Sequence, residues 1–313
     1  HLGFNSSGPE EHIFYKTRTA ETGIIFKEEK PYEVAYVVQN SAADKTSLDL
    51  RPGDRLIAVN GQSVSPAENR YRYFTRPSLD AELSLRFRRD TAEFDIILHP
   101  QSFSELNSLL YDEWIEHNQR IVDEKGNRRI AYAYMRNMGQ DELEKFFIDM
   151  NTEAYNRQGL ILDLRYNTGG NVHDDVLRFL SQRPYLKWKY REGAFTVQSN
   201  FTPAAYPIVL LMNEQSLSDA EMTAAGFKEL GLGKIIGTES YRWIIFTSGK
   251  RLVDGSFYRL PSWGCYTLDG KNLEKEGVKP DIFVKTTFKD RLEGRDPQLE
   301  RALEEVLRGM RGK

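Results

Sequence analysis

The sequence predicts an α/β protein with a separate β-rich module upstream of it. Two short, unbroken apolar runs, Gly159-Leu160-Ile161-Leu162-Asp163-Leu164 and Tyr206-Pro207-Ile208-Val209-Leu210-Leu211-Met212, have the composition of strands buried on both faces. Each is followed by a turn and then by helical periodicity. The same alternation recurs from residue 130 onward, as in a sheet covered by helices. By contrast, residues 23–101 are dominated by closely spaced strand and turn signals.

In the β-rich module the central feature is Leu50-Arg51-Pro52-Gly53-Asp54-Arg55-Leu56-Ile57-Ala58-Val59-Asn60-Gly61: a tight turn, a strand, and an Asn-Gly hairpin turn. A strand is expected at Glu33 to Gln39, a short helix around Ala42 to Leu48, and closing strands at Ala81 to Arg88 and Glu93 to Leu98. Ser104 to Asp123 reads as a helix with Leu106, Leu109, Leu110, Trp114 and Ile121 on one face. After the Gly126-Asn127 turn come a strand at Ile130 to Met135, a helix at Asp141 to Asn156, the strand ending at Asp163 and a helix at Asp174 to Leu180. The strand ending at Met212 leads into a helix from Asp219 to Leu230, apolar at Ala220, Met222, Ala224, Ala225, Phe227 and Leu230, with Gly231 able to cap it. A strand at Ile235-Ile236-Gly237 follows, and Pro297 to Met310 forms a last helix buried along Leu299, Leu303 and Val306.

The 313 residues, 40% hydrophobic and 28% charged, suffice for two ordinary domains or for one with an inserted module. A formal net charge of −3 and the absence of a long basic run argue against nucleic-acid binding. No apolar stretch has the length of a membrane span, and no signal peptide opens the chain. The single cysteine, Cys265, has no disulfide partner and reads as a structural thiol, and His12, His99, His117 and His173 lack metal-ligand spacing. Because the first residue is His1 rather than methionine, the chain reads as part of a longer protein.

The chemistry is concentrated in two segments, Asp163-Leu164-Arg165-Tyr166-Asn167-Thr168-Gly169-Gly170 and Asn213-Glu214-Gln215-Ser216-Leu217-Ser218-Asp219-Ala220-Glu221. The second puts Ser218 at a strand-to-helix corner, where backbone N–H groups are unpaired and the helix dipole is positive. Such a corner exposes a hydroxyl and offers the Asp219 N–H to an oxyanion. Gly169 and Gly170, lacking Cβ, would let a second N–H approach the same carbonyl. Alone, each segment has an ordinary reading: Ser216 or Ser218 as a helix N-cap, and Gly-Gly as a turn.

The turn-strand-turn unit resembles a PDZ domain, a module that adds an extended peptide to a sheet edge. Together with the Asp-Leu-Arg-x-Asn-x-Gly-Gly and Asn-x-x-Ser-x-Ser motifs in this order, the chain resembles the S41 peptidases, which include carboxyl-terminal processing proteases and tricorn-like enzymes. That resemblance implies a crotonase-like (ClpP/crotonase) α/β catalytic domain with an inserted PDZ-like β-rich domain. It divides the chain into residues 1–22 as a remnant of the catalytic subdomain, 23–101 as the PDZ domain and 102–313 as the peptidase domain. Processing proteases carry a catalytic lysine downstream of the serine; Trp243 falls about there, and Lys250 lies too late. The tricorn-like branch is matched by Leu252-Val253-Asp254-Gly255, by Glu274-Lys275-Glu276-Gly277-Val278-Lys279-Pro280-Asp281 and by Gly294-Arg295-Asp296-Pro297-Gln298-Leu299.

By this resemblance Ser218 is the nucleophile, Glu274 the catalytic carboxylate and His1 the base. The start His1-Leu2-Gly3-Phe4 matches the family's Leu-Asn-x-Ser-His-x-Gly motif from its histidine onward. Gly169, Gly170 and Asp219 are implied as the oxyanion hole. The implied function is peptide hydrolysis through an acyl-enzyme on Ser218, without metal or organic cofactor, acting on peptides or unfolded polypeptide. Upstream β-propeller domains and a homo-oligomer are implied for the parent protein. Family analogy gives a cytoplasmic location, and the missing start leaves a periplasmic one open. The alternatives are a Ser–Lys processing protease, a non-catalytic PDZ peptide-binding scaffold and a crotonase-type acyl-CoA enzyme.

Overall fold

The computed structural model describes residues 2–7, 16–45, 50–197 and 206–311. Two compact units emerge, one of residues 9–117 and the other of residues 1–8 with 118–313.

In the smaller unit a four-stranded antiparallel sheet runs in the order Gln62–Ser63, Arg55–Val59, Leu83–Arg89, Ala92–Leu98. A two-stranded pair, Ile24–Phe26 with Val34–Val37, accompanies it. The alternation expected of one-sided strands is followed in Leu83–Arg89, where Leu83, Leu85 and Phe87 are buried beside Leu56, Val59, Ile96 and Leu98. Asn60 and Gly61 both have positive φ, 49° and 77°, as a two-residue hairpin turn requires. Asp54, buried in the tight turn, accepts from the Arg51 N–H and from Arg89 Nε and Nη2, each at 2.7 Å, which locks the turn to the sheet. The helix expected around Ala42 to Leu48 begins as a turn at Ser41–Lys45, and residues 46–49 lie outside the described residues.

The larger unit is built on a five-stranded parallel sheet in the order Ile130–Tyr134, Gly159–Asp163, Ile208–Met212, Gly233–Gly237, Ile282–Phe283. Every neighbouring pair is parallel. Gly159–Asp163 and Ile208–Met212 are buried throughout, which is why they read as unbroken apolar runs. The last helix, Pro297–Arg311, packs against Gly159–Asp163, Ile208–Met212 and Gly233–Gly237 through a stripe that includes Leu299, Ala302, Leu303 and Val306. The helix expected over Asp141 to Asn156 ends at Asn151, with a separate turn at Ala154–Asn156. There the Asn151 and Thr152 side chains donate back to the Phe147 and Ile148 carbonyls and compete with the helical ladder.

A three-stranded antiparallel sheet that the sequence reading did not expect joins Gly3–Asn5 to the hairpin Ile245–Arg251 and Phe257–Gly264. Its loop is the Leu252-Val253-Asp254-Gly255 motif, with Gly255 at φ 84°. An Asp-Gly pair between strand-like runs was the available signal. A second unanticipated hairpin pairs Lys187–Lys189 with Phe195–Val197. Among the described residues no helix is long and apolar enough to cross a membrane.

Candidate active site

Parallel pairing is what brings the two motifs together. Asp163 is in register with Leu211, so both strands end on the same edge of the sheet and their following turns leave side by side. Leu217 N–H then donates to the Asn167 carbonyl at 2.9 Å, joining the glycine turn to the serine corner.

Ser218 is the N-cap residue of the helix Asp219–Glu229, with φ 50° and ψ −111°. That conformation resembles the first central position of a type II′ turn, where glycine is the usual residue. A serine there is strained, and such strain gathers at functional sites. Ser218 is partly exposed, whereas Ser216 is fully buried. Ser216 Oγ donates to the Leu164 carbonyl at 2.8 Å and accepts from the Asn213 N–H at 3.0 Å. Of the two serines, Ser216 therefore braces the corner with its hydroxyl, whereas Ser218 is partly exposed and, although it and Glu221 are arranged as a capping box, makes no side-chain cap hydrogen bond.

The glycines differ as well. Gly169 has φ 81°, is buried, and donates its N–H to Asn167 Oδ1 at 2.9 Å. A Cβ there would lie 2.8 Å from Ser218 Cβ, so only glycine lets the two segments meet. Gly170 is exposed and packs against Met138, whose carbonyl oxygen would be 2.0 Å from an added Cβ. Among the described residues neither the Gly170 N–H nor the Asp219 N–H donates within the chain. These two are thus the donors open to an outside acceptor, while Gly169, expected to be a donor, serves as the close-packing residue. Gly169→Ala is expected to lower stability by about 1–2 kcal/mol from the positive φ alone. The denaturation midpoint measures it, and an unchanged midpoint would show that the Gly169–Ser218 approach is loose.

Two buried carboxylates organise the corner. Glu221, fully buried, accepts from the Ser218 N–H at 3.0 Å, Ser240 Oγ at 2.5 Å, Arg242 N–H at 2.8 Å and Trp243 N–H at 2.7 Å. Burial pushes its pKa above the ordinary carboxylate value, and these four donors pull it back. Asp219 Oδ2 accepts from the N–H groups of Val172 at 2.8 Å and His173 at 3.0 Å, strapping the residues after the glycines to the serine helix. Neither role was read from the sequence; an acidic residue three positions after an N-cap was the one available signal for Glu221.

Behind the corner, the Asp163-Leu164-Arg165 motif forms a buried ion cluster. Arg165 grips Asp163 at 2.7 Å and, with its other terminal nitrogen, Asp296 at 2.7 Å. Tyr132 Oη donates to Asp163 at 2.9 Å and accepts from Asn118 at 3.1 Å. Burial works against the Arg165 charge, yet Asp163 and Asp296 outweigh it and hold its pKa well above the usual value.

Of the remaining expected residues, Glu274 is half-buried at the second position of the short helix Leu273–Glu276, whose N-cap Asn272 accepts from the Glu274 N–H at 2.9 Å. Its segment is tied back to the serine corner, since Ser240 Oγ donates to Glu221 and accepts from the Val278 N–H at 2.9 Å. His1 lies outside the described residues; Gly3, two positions on, is in register with Arg259 of the hairpin. Lys250 is exposed in the same hairpin, opposite Tyr258. Trp243 is held by its backbone to Glu221, and its ring lies 5.8 Å from that of Tyr241.

Comparison with known proteins adds the following. The model of peptidase family S41 matches residues 129–284, and that of the PDZ domain matches residues 1–72. The tricorn protease of Thermoplasma acidophilum is 30% identical over 266 residues, covering 81% of this chain and 23% of that protein. A putative tricorn-like protease C-terminal subunit from Sulfurisphaera tokodaii is 28% identical over 300 residues, 92% of this chain and 34% of that one. The crystal structure of the tricorn protease superposes with a TM-score of 0.77 at 24% identity, over 94% of this chain and 29% of that one. The chain spans only about a quarter to a third of the length of these relatives.

Proposed function

We infer that this chain, which belongs to peptidase family S41 on its tricorn-like side, hydrolyses peptide bonds through an acyl-enzyme on Ser218. The observation that carries the reading is the contrast between the serines. Ser216 has its hydroxyl consumed by the backbone, while Ser218 is held at φ 50°, partly exposed and without a side-chain cap hydrogen bond. A residue kept in a strained conformation by a fully bonded carboxylate, Glu221, suits a nucleophile better than a cap.

In this mechanism Ser218 Oγ attacks the scissile carbonyl, and the N–H groups of Gly170 and Asp219 receive the oxyanion. His1 takes the Ser218 proton and returns it to the leaving amine, because an imidazole titrates near neutral pH. Glu274 fixes the tautomer of that imidazole and stabilises its cation, directly or through an upstream serine. The pairing of Gly3–Asn5 with the Phe257–Gly264 strand supports this assignment, since it anchors the residues next to His1 on the larger unit. The Ser–Lys alternative is disfavoured by Trp243 at the position expected for the lysine and by the exposed Lys250. The catalytic portion is read as crotonase-like, a parallel sheet whose turns form the oxyanion hole. Residues 23–101 are read as a PDZ module holding an extended peptide. β-Propeller domains and a homo-oligomer complete the reading for the whole protein.

An active-site-directed fluorophosphonate tests it. The probe is expected to modify Ser218, identified by mass spectrometry of the digested protein, and to leave Ser216 untouched. Modification elsewhere, or none in protein that cleaves peptides, would overturn the assignment.

A further inference from the structure

Asp219 has two functions that conflict electrostatically. Its N–H is one of the two donors open to an oxyanion, while its carboxylate, only a few bonds away, is the strap that holds Val172 and His173 against the serine helix. The side chain is buried, so water does not screen the charge. A negative charge at that point opposes the charge that builds on the substrate carbonyl.

The structure supplies a counter-charge. His173, first residue of the helix His173–Leu180, puts Nδ1 2.5 Å from Asp219 Oδ1. The two groups meet as a close charge contact without the alignment of a good hydrogen bond, and Nδ1 is buried. Among the described residues the charged groups that act on the imidazole are Asp219 on the serine helix and Asp174 and Asp175 on its own helix, all carboxylates. Nε2 lies 3.6 Å from Asp174. The positive end of the His173 helix disfavours a cation there, and three carboxylates oppose that single partial charge.

We propose that protonated His173 is a positioning and charge-compensating residue, which neutralises the Asp219 strap so that the oxyanion hole keeps a favourable field. This rests on the serine-peptidase reading. Asp219 raises the His173 pKa above its ordinary value, burial works against it, and Asp174 and Asp175 add to the rise. Below that raised pKa the pair is neutral. As pH rises through it, His173 loses its proton, the Asp219 charge stands uncompensated, and turnover falls. His1 works in the opposite sense, because a base must be unprotonated to act, so the two imidazoles set the two sides of the pH profile.

The test compares peptide turnover against pH for the full protein, for His173→Gln and for His173→Gln/Asp219→Asn, with the His173 imidazole titrated by NMR. The wild type is expected to lose activity on the alkaline side at the pKa that NMR assigns to His173. His173→Gln is expected to lack that limb and to turn over on the order of a hundredfold more slowly, like an enzyme deprived of one oxyanion donor. The double variant is expected to recover at least about tenfold of the loss, because the neutral amide that replaces the carboxylate still accepts from both N–H groups. A purely structural role for His173 would show no such recovery. An alkaline limb that persists in His173→Gln, or a double variant no faster than the single one, would overturn the proposal. If no form cleaves peptide or reacts with the fluorophosphonate, the serine-peptidase reading is what fails. The NMR titration then still decides the pair: an imidazole titrating at or below its ordinary value overturns it, and one above supports it.

Discussion

Ser218→Ala is expected to lower peptide turnover on the order of a millionfold, the scale seen when a serine nucleophile is removed, without lowering stability. Alanine keeps the strain of φ 50° and loses only a hydroxyl that makes no side-chain cap hydrogen bond. Ser218→Gly should be equally inactive but more stable. Releasing a strained backbone gains about 1–3 kcal/mol, against about 0.5–1 kcal/mol for the added freedom of glycine in the unfolded chain. Ser216→Ala should show the reverse pattern. It strands the Asn213 N–H in a buried place and leaves the Leu164 carbonyl with only the longer bond from the Asn167 N–H at 3.3 Å, at about 1–3 kcal/mol, and retains the nucleophile. Turnover on a fluorogenic peptide and the denaturant midpoint separate the three variants. A Ser218→Ala protein that still cleaves, or that loses stability as a missing cap would, contradicts the assignment.

The second large effect is on stability. Arg165→Met removes the shared partner of Asp163 and Asp296 and leaves Asp163 fully buried, with Tyr132 Oη and the residue-165 N–H as its donors. Breaking a buried ion pair from one side costs about 3–5 kcal/mol. For a domain of this size that corresponds to a fall in melting temperature of roughly 6–20 °C. Arg165→Lys is expected to rescue little, since one ammonium cannot bind two carboxylates in the bidentate manner of a guanidinium. A melting temperature within about 2 °C of wild type would mean that the cluster contributes less than 1 kcal/mol.

Much of this architecture was legible in the chain. Strands buried on both faces must be apolar throughout, so Gly159–Asp163 and Ile208–Met212 announced themselves, as did the amphipathic helix Pro297–Arg311. The exposed sheet of Gly3–Asn5, Ile245–Arg251 and Phe257–Gly264 did not. Its strands are exposed over most of both faces, so burial imposes no period on them. The helix end at Asn151 was missed because it depends on side chains bonding back to carbonyls, a competition that periodicity does not register.

The sequence by itself determined that a serine at a strand-to-helix corner and a glycine pair after another buried strand belong to one protein, because each motif is local and its backbone demands are written in its own residues. What only the tertiary structure decided is how the parts divide the work. Parallel register set the two turns side by side, buried hydrogen bonds took Ser216 and the Gly169 N–H out of contention, and the carboxylates of Glu221 and Asp219 became the fixings of the corner. Those roles depend on which polar groups lose water when distant segments pack. Desolvation of that kind is a property of the folded neighbourhood, and no spacing along the chain encodes it.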